Sequence, residues 1–594
     1  MNWTSDSGSS GNRIPRTSFR TRMMNTLNSH IPEDVTNLPM MLKNSARLFA
    51  SRPSLTSVDG TAYSYEELDR ATQHVAVMLQ SAGVGKGDNV AILAENSPHW
   101  GIAYFGILIC GATTVPILPD FRAMEVRMIL EHAAVKALFI SGKLISRLSE
   151  GLPDTVGMVI NTDDFRLLDA DNNMVAQPAG KPGQLIKLNE KTRISANDTG
   201  YYEADSEELA SIIYTSGTTG RSKGVMLTHA NILSNAVQSG TVHRVVPEDR
   251  FLSVLPLAHT YECTIGMMVP LLNGALIHYI DRAPTAAYLT PLLKKVRPTT
   301  MLTVPLIIEK IYRSTIKPAL TRSAPMRLLM KIGPTRKLLS GAAAGKLKKF
   351  FGGELRFFGV GGAPLAPDVE KFLYEGGFPY AIGYGLTETS PMVAGFGPSD
   401  AVFHSVGKVM RGVTIRIDNP DPLTGEGEIV VKGPNVMKGY YKDEEKTREV
   451  FTEDGYFRTG DLGIIDKKGI IFIKGRSKNM ILGPNGENIY PEEIEAVINS
   501  REIVSDSLVL QHKGKLTARV HLNMELIEEQ LNHLKENATE FQKQLQEKAE
   551  EALAELMIHV NQHVARNSKL QLMILQVQPF EKTATQKIKR FLYQ

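Results

Sequence analysis

Short apolar runs alternating with amphipathic helical stretches restrict most strongly what this chain can fold into. "NVAILAEN" (89–96), "KALFIS" (136–141), "TMLTVP" (300–305) and "LRFFGVGG" (355–362) are too short for helices and mostly apolar, as strands buried inside a parallel sheet are. Helical patterns lie between them. In "SYEELDRATQHVAVMLQSAG" (64–83), Ser64 stands where an N-cap would sit, with Glu67 three residues on. Alternation of this kind predicts βαβ units and an α/β fold with layered, parallel-rich sheets. From about Val406 the texture changes to short strands broken by Gly and Asp, as in "GEGEIVVKG" (425–433) and "DGYFRTGDLGIIDKKGIIFIKGRSKNMI" (454–481). This predicts a small β-rich subdomain and then a smaller α+β domain, with the boundary near Gly475 to Lys478. A chain of 594 residues exceeds one hydrophobic core. The expected division is a disordered tail over 1–35, a large N-terminal domain over 36–477 and a small C-terminal domain over 478–594.

Charge and cysteine content narrow the functional classes. With 67 Lys and Arg against 63 Asp and Glu, the near-balance gives no reason to expect a nucleic-acid partner. Cys110 and Cys263 lie in apolar surroundings without metal-ligand spacing, so both read as buried thiols of a reducing compartment. The uncharged run "GIAYFGILICGATTVPILP" (101–119) carries three glycines and two prolines, which fits a buried helix passing through a Gly-Ala turn into a strand better than a membrane span. Residues 1–30 have no apolar core of a secretory signal. Their Ser, Thr and Arg content suits a disordered tail, with an organellar transit peptide as the lesser option, and the expected location is cytoplasmic, with a peripheral position on the inner face of a membrane as the further option.

Two further patterns stand out. Ile527, Leu531, Leu534, Ala538, Phe541 and Leu545 follow heptad spacing, which predicts a long amphipathic helix packing on its own domain rather than a dimerising coiled coil. From Lys310 to Lys349 there are eleven Lys or Arg and no Asp or Glu, interleaved with Leu328, Leu329, Met330, Leu338, Leu339 and Leu347, followed by Phe350 and Phe351. Such a segment can lie on an anionic membrane surface, or be a solvated face that attracts an anionic cofactor.

"YTSGTTGRSKGVMLTH" (214–229) follows the apolar run Leu209, Ala210, Ser211, Ile212, Ile213. It is not the P-loop G-x-x-x-x-G-K-[ST]: Gly217 and Gly220 are three apart, Lys223 follows Gly220 by three, and Gly224 occupies the position of the magnesium-binding hydroxyl. Its inventory is nonetheless that of a phosphate cradle. Gly217 and Gly220 let backbone N–H groups approach, Thr215, Ser216, Thr218 and Thr219 add hydroxyls, and Lys223 adds charge.

Y-T-S-G-T-T-G-x-x-K-G resembles the nucleotide loop of the adenylate-forming superfamily, which includes acyl-CoA synthetases, luciferases and the adenylation domains of peptide synthetases. Further motifs of that superfamily follow in order: "GYGLTETSP" (383–391), "GYFRTGDLG" (455–463), "KGRSKNMIL" (474–482), "NIYPEEIE" (488–495) and "PFEKTATQKIKR" (579–590). The resemblance implies ATP, Mg²⁺ and coenzyme A as cofactor and co-substrates. It implies that Thr387 meets the α-phosphate, that Glu388 holds Mg²⁺, that Tyr384 and the wall of Gly362, Ala363 and Pro364 flank the adenine, and that Asp461 takes the ribose hydroxyls. Arg476 is implied as a second nucleotide contact, Lys478 as the hinge, and Lys587 as the catalytic lysine delivered by the small domain. Where many relatives have Gly-Lys, this chain has Gln586-Lys587. His259 in "LPLAHTYE" (255–262) stands where relatives place a His or aromatic near the carboxylate, and "GPNGEN" (483–488) matches a loop on the pantetheine path.

Within the superfamily, "LPLAHTYECTIGMMVPLLNGA", the basic segment over 310–351 and "PFEKTATQKIKR" most resemble long-chain fatty acyl-CoA synthetases. The implied substrates are a fatty acid, ATP and CoA. An acyl carrier protein as acceptor, or another carboxylic acid as substrate, is the alternative, a non-catalytic nucleotide- or acyl-binding protein is the reading outside the class, and a peripheral membrane contact is the reading this branch favours for residues 310–351. Oligomeric state is left open by the sequence.

Overall fold

The structure, a computed structural model, describes residues 34–58, 60–168, 201–216, 222–282, 284–483, 487–530, 538–583 and 587–593. The expected tail over 1–35 therefore lies almost wholly outside the described residues.

All four apolar runs are strands: Asn89–Leu93, Val135–Ile140, Thr300–Thr303 and Phe357–Val360. They belong to two large sheets. In the seven-stranded sheet, Met158–Asn161, Val135–Ile140, Asn89–Leu93, Thr113–Pro116 and Leu209–Ser216 run parallel in that spatial order. The antiparallel strands Ser222–Thr228 and Gly439–Tyr440 close its edge. The nine-stranded sheet has a parallel centre, with antiparallel strands at both margins.

Helices cover these sheets where the periodicity placed them. Tyr65–Ser81 is capped by Ser64, whose hydroxyl accepts from Glu67 N at 3.2 Å while the Glu67 carboxylate accepts from Ser64 N at 2.8 Å. Two otherwise orphaned N–H groups are thereby satisfied, which contributes about 1 kcal/mol. The 101–119 run is the buried helix Pro98–Ile109 followed by the strand Thr113–Pro116. Gly111, at φ +88°, makes the turn, and a Cβ there would lie 2.8 Å from the Tyr202 ring. Trp100, Tyr104 and Phe105 are fully buried in this core, each contributing about 1.5–3 kcal/mol. No helix among the described residues is long and apolar enough to cross a membrane. Cys110 and Cys263 are buried and unpaired.

Beyond Val406 comes a four-stranded antiparallel sheet of Thr414–Asp418, Gly427–Lys432, Phe457–Ile465 and Ile471–Arg476. The chain then builds a separate core on a three-stranded sheet, Val504–His512, Lys515–Leu522 and Leu572–Leu575. The heptad stripe serves this core. Ile527, on the helix Met524–Gln530, is buried, and on the helix Ala538–His563 the stripe runs on through Leu545, Ala549, Leu553, Leu556 and Val560 into the same cluster. Leu531 and Leu534 lie outside the described residues.

Candidate active site

The phosphate-cradle stretch is a β-hairpin. Leu209–Ser216 returns as Ser222–Thr228, with Thr215 opposite Lys223 and Ser216 opposite Ser222. A P-loop leads from a strand into a helix, whereas this connection leads back into the sheet. Gly217, Thr218, Thr219 and Gly220 lie outside the described residues, as does the Ser216 side chain. Gly224 has a packing reason to be glycine: a Cβ would lie 2.9 Å from Ile212 Cγ2 and 3.2 Å from Tyr441 Cβ. Lys223 Nζ lies 5.0 Å from the centre of the Tyr440 ring.

Tyr440 joins this lysine to Glu388. Its two-residue strand pairs with Ser222–Thr228, Tyr440 opposite Val225, and its hydroxyl donates to Glu388 Oε1 at 2.9 Å. Glu388 lies in the short 3₁₀ turn Thr387–Thr389, and its carbonyl accepts from Met437 N at 2.8 Å. The turn is approached through Gly385, where a Cβ would fall 1.8 Å from Pro391 O, so no side chain fits. Burial lowers the Lys223 ammonium pKa, and nearby Lys446 and Lys478 lower it further, against the opposite pull of Glu388 and Asp443.

Asp461 and Arg476 face each other across neighbouring strands. Arg476 Nε is 2.8 Å from Asp461 Oδ1, and the Tyr384 hydroxyl donates to Oδ2 at 2.8 Å. Arg476 also donates to Thr459 O at 3.1 Å. Burial raises the Asp461 carboxyl pKa, opposed by Arg476, Tyr384 and Lys587. Lys587 stands in the connection between the bridged residues Lys582 and Ile588, its backbone N–H donating to Thr583 Oγ1 at 3.2 Å. Lys587 is exposed. The protein mass around it and Arg476 lower its ammonium pKa, while Asp461 and Glu388 oppose the shift. His259 is pushed down to about 4 by burial and by Lys587, and its Nδ1 accepts from Tyr261 N at 3.2 Å. The imidazole is therefore neutral near pH 7.

These couplings bring Lys587, Asp461, Arg476, Glu388 and His259 to one place, with Lys223 held to Glu388 through Tyr440. Gly362, Ala363 and Pro364 are exposed. Gly362 has φ +86°, and the nearest atom to its Cβ position is Val304 Cγ1 at 3.8 Å. Lys478 is exposed and lines a cavity of about 230 Å³ with Asn479, Met480, Leu508, Leu510 and Arg590. Pro484, Asn485 and Gly486 of the "GPNGEN" loop lie outside the described residues.

A narrow apolar cavity of about 30 Å³ lies beside this cluster, lined among others by Val242, His243, Tyr261, Leu302, Phe357 and Gly359. Tyr261, two residues from His259, covers a glycine stretch: a Cβ on Gly359 would lie 3.0 Å from its hydroxyl, and one on Gly361 3.2 Å from its ring. His243 stacks on Phe357 with ring centres 4.2 Å apart and bonds Thr300 Oγ1 through Nε2 at 3.2 Å. Sequence reading missed Tyr440, Thr459, Tyr261 and His243. Thr459 and Tyr261 lay within quoted motifs, but Tyr440 depends on long-range pairing and His243 on a cavity that only the fold creates.

Comparison with known proteins gives the family. The model of the family described as AMP-binding enzyme matches residues 42–441. A peroxisomal long chain acyl-CoA synthetase of Arabidopsis thaliana is 29% identical over 484 residues, 75% of this chain and 66% of that protein. The chain thus spans about two thirds of that relative's length. A long-chain-fatty-acid–CoA ligase of Mycobacterium bovis is 30% identical over 492 residues, covering 76% of each chain. Among solved structures, o-succinylbenzoate CoA synthetase from Bacillus subtilis, in complex with its acyl-adenylate intermediate, superposes with a TM-score of 0.71 at 22% identity over 94% of this chain and 99% of that one. That likeness establishes a shared fold. With a matched region covering well over half of its residues, the chain belongs to the AMP-binding enzyme family.

Proposed function

We propose that the protein activates a long-chain fatty acid with ATP, through an acyl-adenylate, and transfers the acyl group to coenzyme A, releasing AMP and pyrophosphate. The observation that carries this reading is the polar cluster in which Arg476 and Tyr384 hold Asp461 and Tyr440 holds Glu388, with Lys587 near enough to Asp461 and Glu388 to feel their charge. In the first half, a carboxylate oxygen attacks the α-phosphorus of ATP and the bond to the β-phosphate oxygen breaks. Lys587 and Lys223 hold charge on the phosphate oxygens, and Thr387 donates to the α-phosphate. Neutral His259 positions the carboxylate without competing for its charge. Tyr384 and Gly362, Ala363 and Pro364 flank the adenine, Asp461 and Arg476 hold the ribose, and Thr215, Ser216, Gly217, Thr218, Thr219 and Gly220 line the phosphates.

Glu388 is the residue here that fits Mg²⁺. One carboxylate oxygen is fixed by Tyr440, and no group of three or more His, Cys, Asp or Glu among the described residues could hold a metal by itself. This suits an ion bound by one carboxylate, substrate phosphates and water. When bound, it neutralises charge on the departing pyrophosphate.

In the second half, the CoA sulfur attacks the acyl carbon, the bond to the AMP oxygen breaks, and the thiol proton passes to solvent. We place the domain boundary at 477/478 and the hinge at Lys478, an exposed residue two positions after the strand Ile471–Arg476, about which the small domain would withdraw Lys587. The long-chain assignment draws on the names of the relatives. Pyrophosphate release measured over fatty acids of graded length, with CoA or an acyl carrier protein as acceptor, tests it. Release that requires a long-chain acid and thioester formed on CoA are expected; no acid-dependent release sinks the ligase reading, and thioester formed only on the carrier protein replaces the acceptor.

A further inference from the structure

Residues 324–349 form a corner of two helices, Ala324–Lys331 and Gly333–Phe350. The first has no buried residue at all. The second buries Ser340, Ala344 and Leu347 in the core beneath, which leaves Leu338, Ala342, Gly345 and Lys349 exposed on the other side. At the corner, four large apolar side chains face solvent: Leu328 is 62% exposed, Leu329 37%, Ile332 48% and Leu338 75%. The corner is fixed in place, because the Thr335 hydroxyl reaches Leu329 O at 2.5 Å and Ile332 O at 3.0 Å.

Exposed leucines in such a cluster are costly in water and call for a covering surface. The charges around them say which kind. Of the eleven cations between Lys310 and Lys349, two reach a carboxylate of the described residues within 4 Å, Arg313 with Glu309 and Arg336 with Glu375. Arg322, Arg327, Lys331, Lys337, Lys346 and Lys349 are exposed on the same segment, which contains no acid. Apolar side chains at a prominent corner, ringed by long cationic ones whose stems can lie along acyl chains while their heads meet phosphates, match the interface of an anionic bilayer.

We propose that this corner docks the protein on an anionic lipid bilayer, with Leu328, Leu329, Ile332 and Leu338 entering the acyl boundary and Arg322, Arg327, Lys331 and Lys337 contacting lipid phosphates. The docking stands on exposure and charge alone and is independent of the acid-activating reading. Such a surface would place an enzyme of apolar acids where those acids partition.

The test is co-sedimentation of the full chain with phosphatidylcholine vesicles, with and without phosphatidylglycerol, at low and high salt. Binding is expected only with phosphatidylglycerol, weakening as salt rises. The double variant Leu328→Ser/Leu338→Ser and, separately, Lys331→Glu/Lys337→Glu are each expected to lose binding on the order of tenfold. All four side chains are exposed, and two independent variants guard against a folding defect in either. Equal binding to neutral vesicles, or wild-type binding in both variants, overturns the proposal. So does capture of an acidic acyl carrier protein, rather than vesicles, that is lost in the lysine variant.

Discussion

Arg476 Nε lies 2.8 Å from Asp461 Oδ1, while the other carboxylate oxygen accepts from Tyr384. The aspartate side chain is 7% exposed and the arginine 44%, so the carboxylate bears most of the desolvation. Removing the arginine strands a nearly buried charge, which costs more than the pair gains. Arg476→Ala is expected to destabilise the protein by about 1–3 kcal/mol, and adding Asp461→Asn to recover part of that. Denaturant unfolding of both single variants and the double variant measures the coupling; zero coupling energy contradicts a working pair. Each single change is also expected to lower kcat/KM for ATP by about tenfold or more.

Tyr440 makes two contacts of different kinds, a hydroxyl on Glu388 and a ring under Lys223. They can be separated. Tyr440→Phe removes only the hydrogen bond, and with it the restraint on the carboxylate expected to hold magnesium. The magnesium concentration giving half-maximal pyrophosphate release should rise several-fold, with a smaller change in KM for ATP. Tyr440→Ala also removes the face under the ammonium and should raise KM for ATP as well. A magnesium titration unchanged in Tyr440→Phe would detach Tyr440 from the metal site.

The lowered pKa of Lys587 predicts a pH signature. An ammonium held below the ordinary lysine value loses its proton earlier as pH rises, so adenylation should decline on the alkaline side before a free lysine titrates. Lys587→Arg keeps its charge throughout, so whatever rate it retains should lack that limb. Thioester formation from supplied acyl-adenylate should keep the same pH profile in both proteins. An alkaline limb persisting in the arginine variant assigns it to another group.

What could be read from the sequence was what is local. The capping box at Ser64 and Glu67 lies within four residues, and the motifs around Lys223, Glu388, Asp461 and Arg476 each place a side chain on one turn or strand. Tyr440 was illegible because its strand is two residues long and exists only through pairing with Ser222–Thr228, far earlier in the chain. The stretch after His259 hid its geometry for another reason. Tyr261–Met268 is a π-helix, so the 3.6-residue period that would turn some of these positions outward does not apply, and Tyr261 reaches the apolar cavity while Glu262 is buried at 1% exposure. The basic segment was legible as charge, but which of its leucines are covered depended on the packing of Ser340, Ala344 and Leu347.

Glu262 supplies the last prediction. Its Oε2 has no hydrogen-bond partner among the described residues, and Gly266 makes room for it, since a Cβ there would lie 2.6 Å from the carboxyl. Burial pushes its pKa up to about 8, opposed by a hydrogen bond with Ser253. In the unfolded chain a glutamate titrates near ~4.3, so between that value and about 8 the folded protein holds a proton that the unfolded chain has released. The associated stability is fully present below the unfolded value and is lost as pH rises through the folded one. At about 1.4 kcal/mol per pH unit over this window, the loss by alkaline pH reaches a few kcal/mol at most. Glu262→Gln keeps the neutral shape at every pH and removes this slope, whatever its fixed cost in packing. Thermal unfolding between pH 5 and pH 8 should therefore show the variant gaining on the wild type as pH rises. Glu370 and Glu495, each raised to about 7 by burial, contribute to the slope in both proteins, so the difference between the two isolates Glu262. A difference that stays constant across the window means that Glu262 ionises as readily in the folded protein as in the unfolded chain.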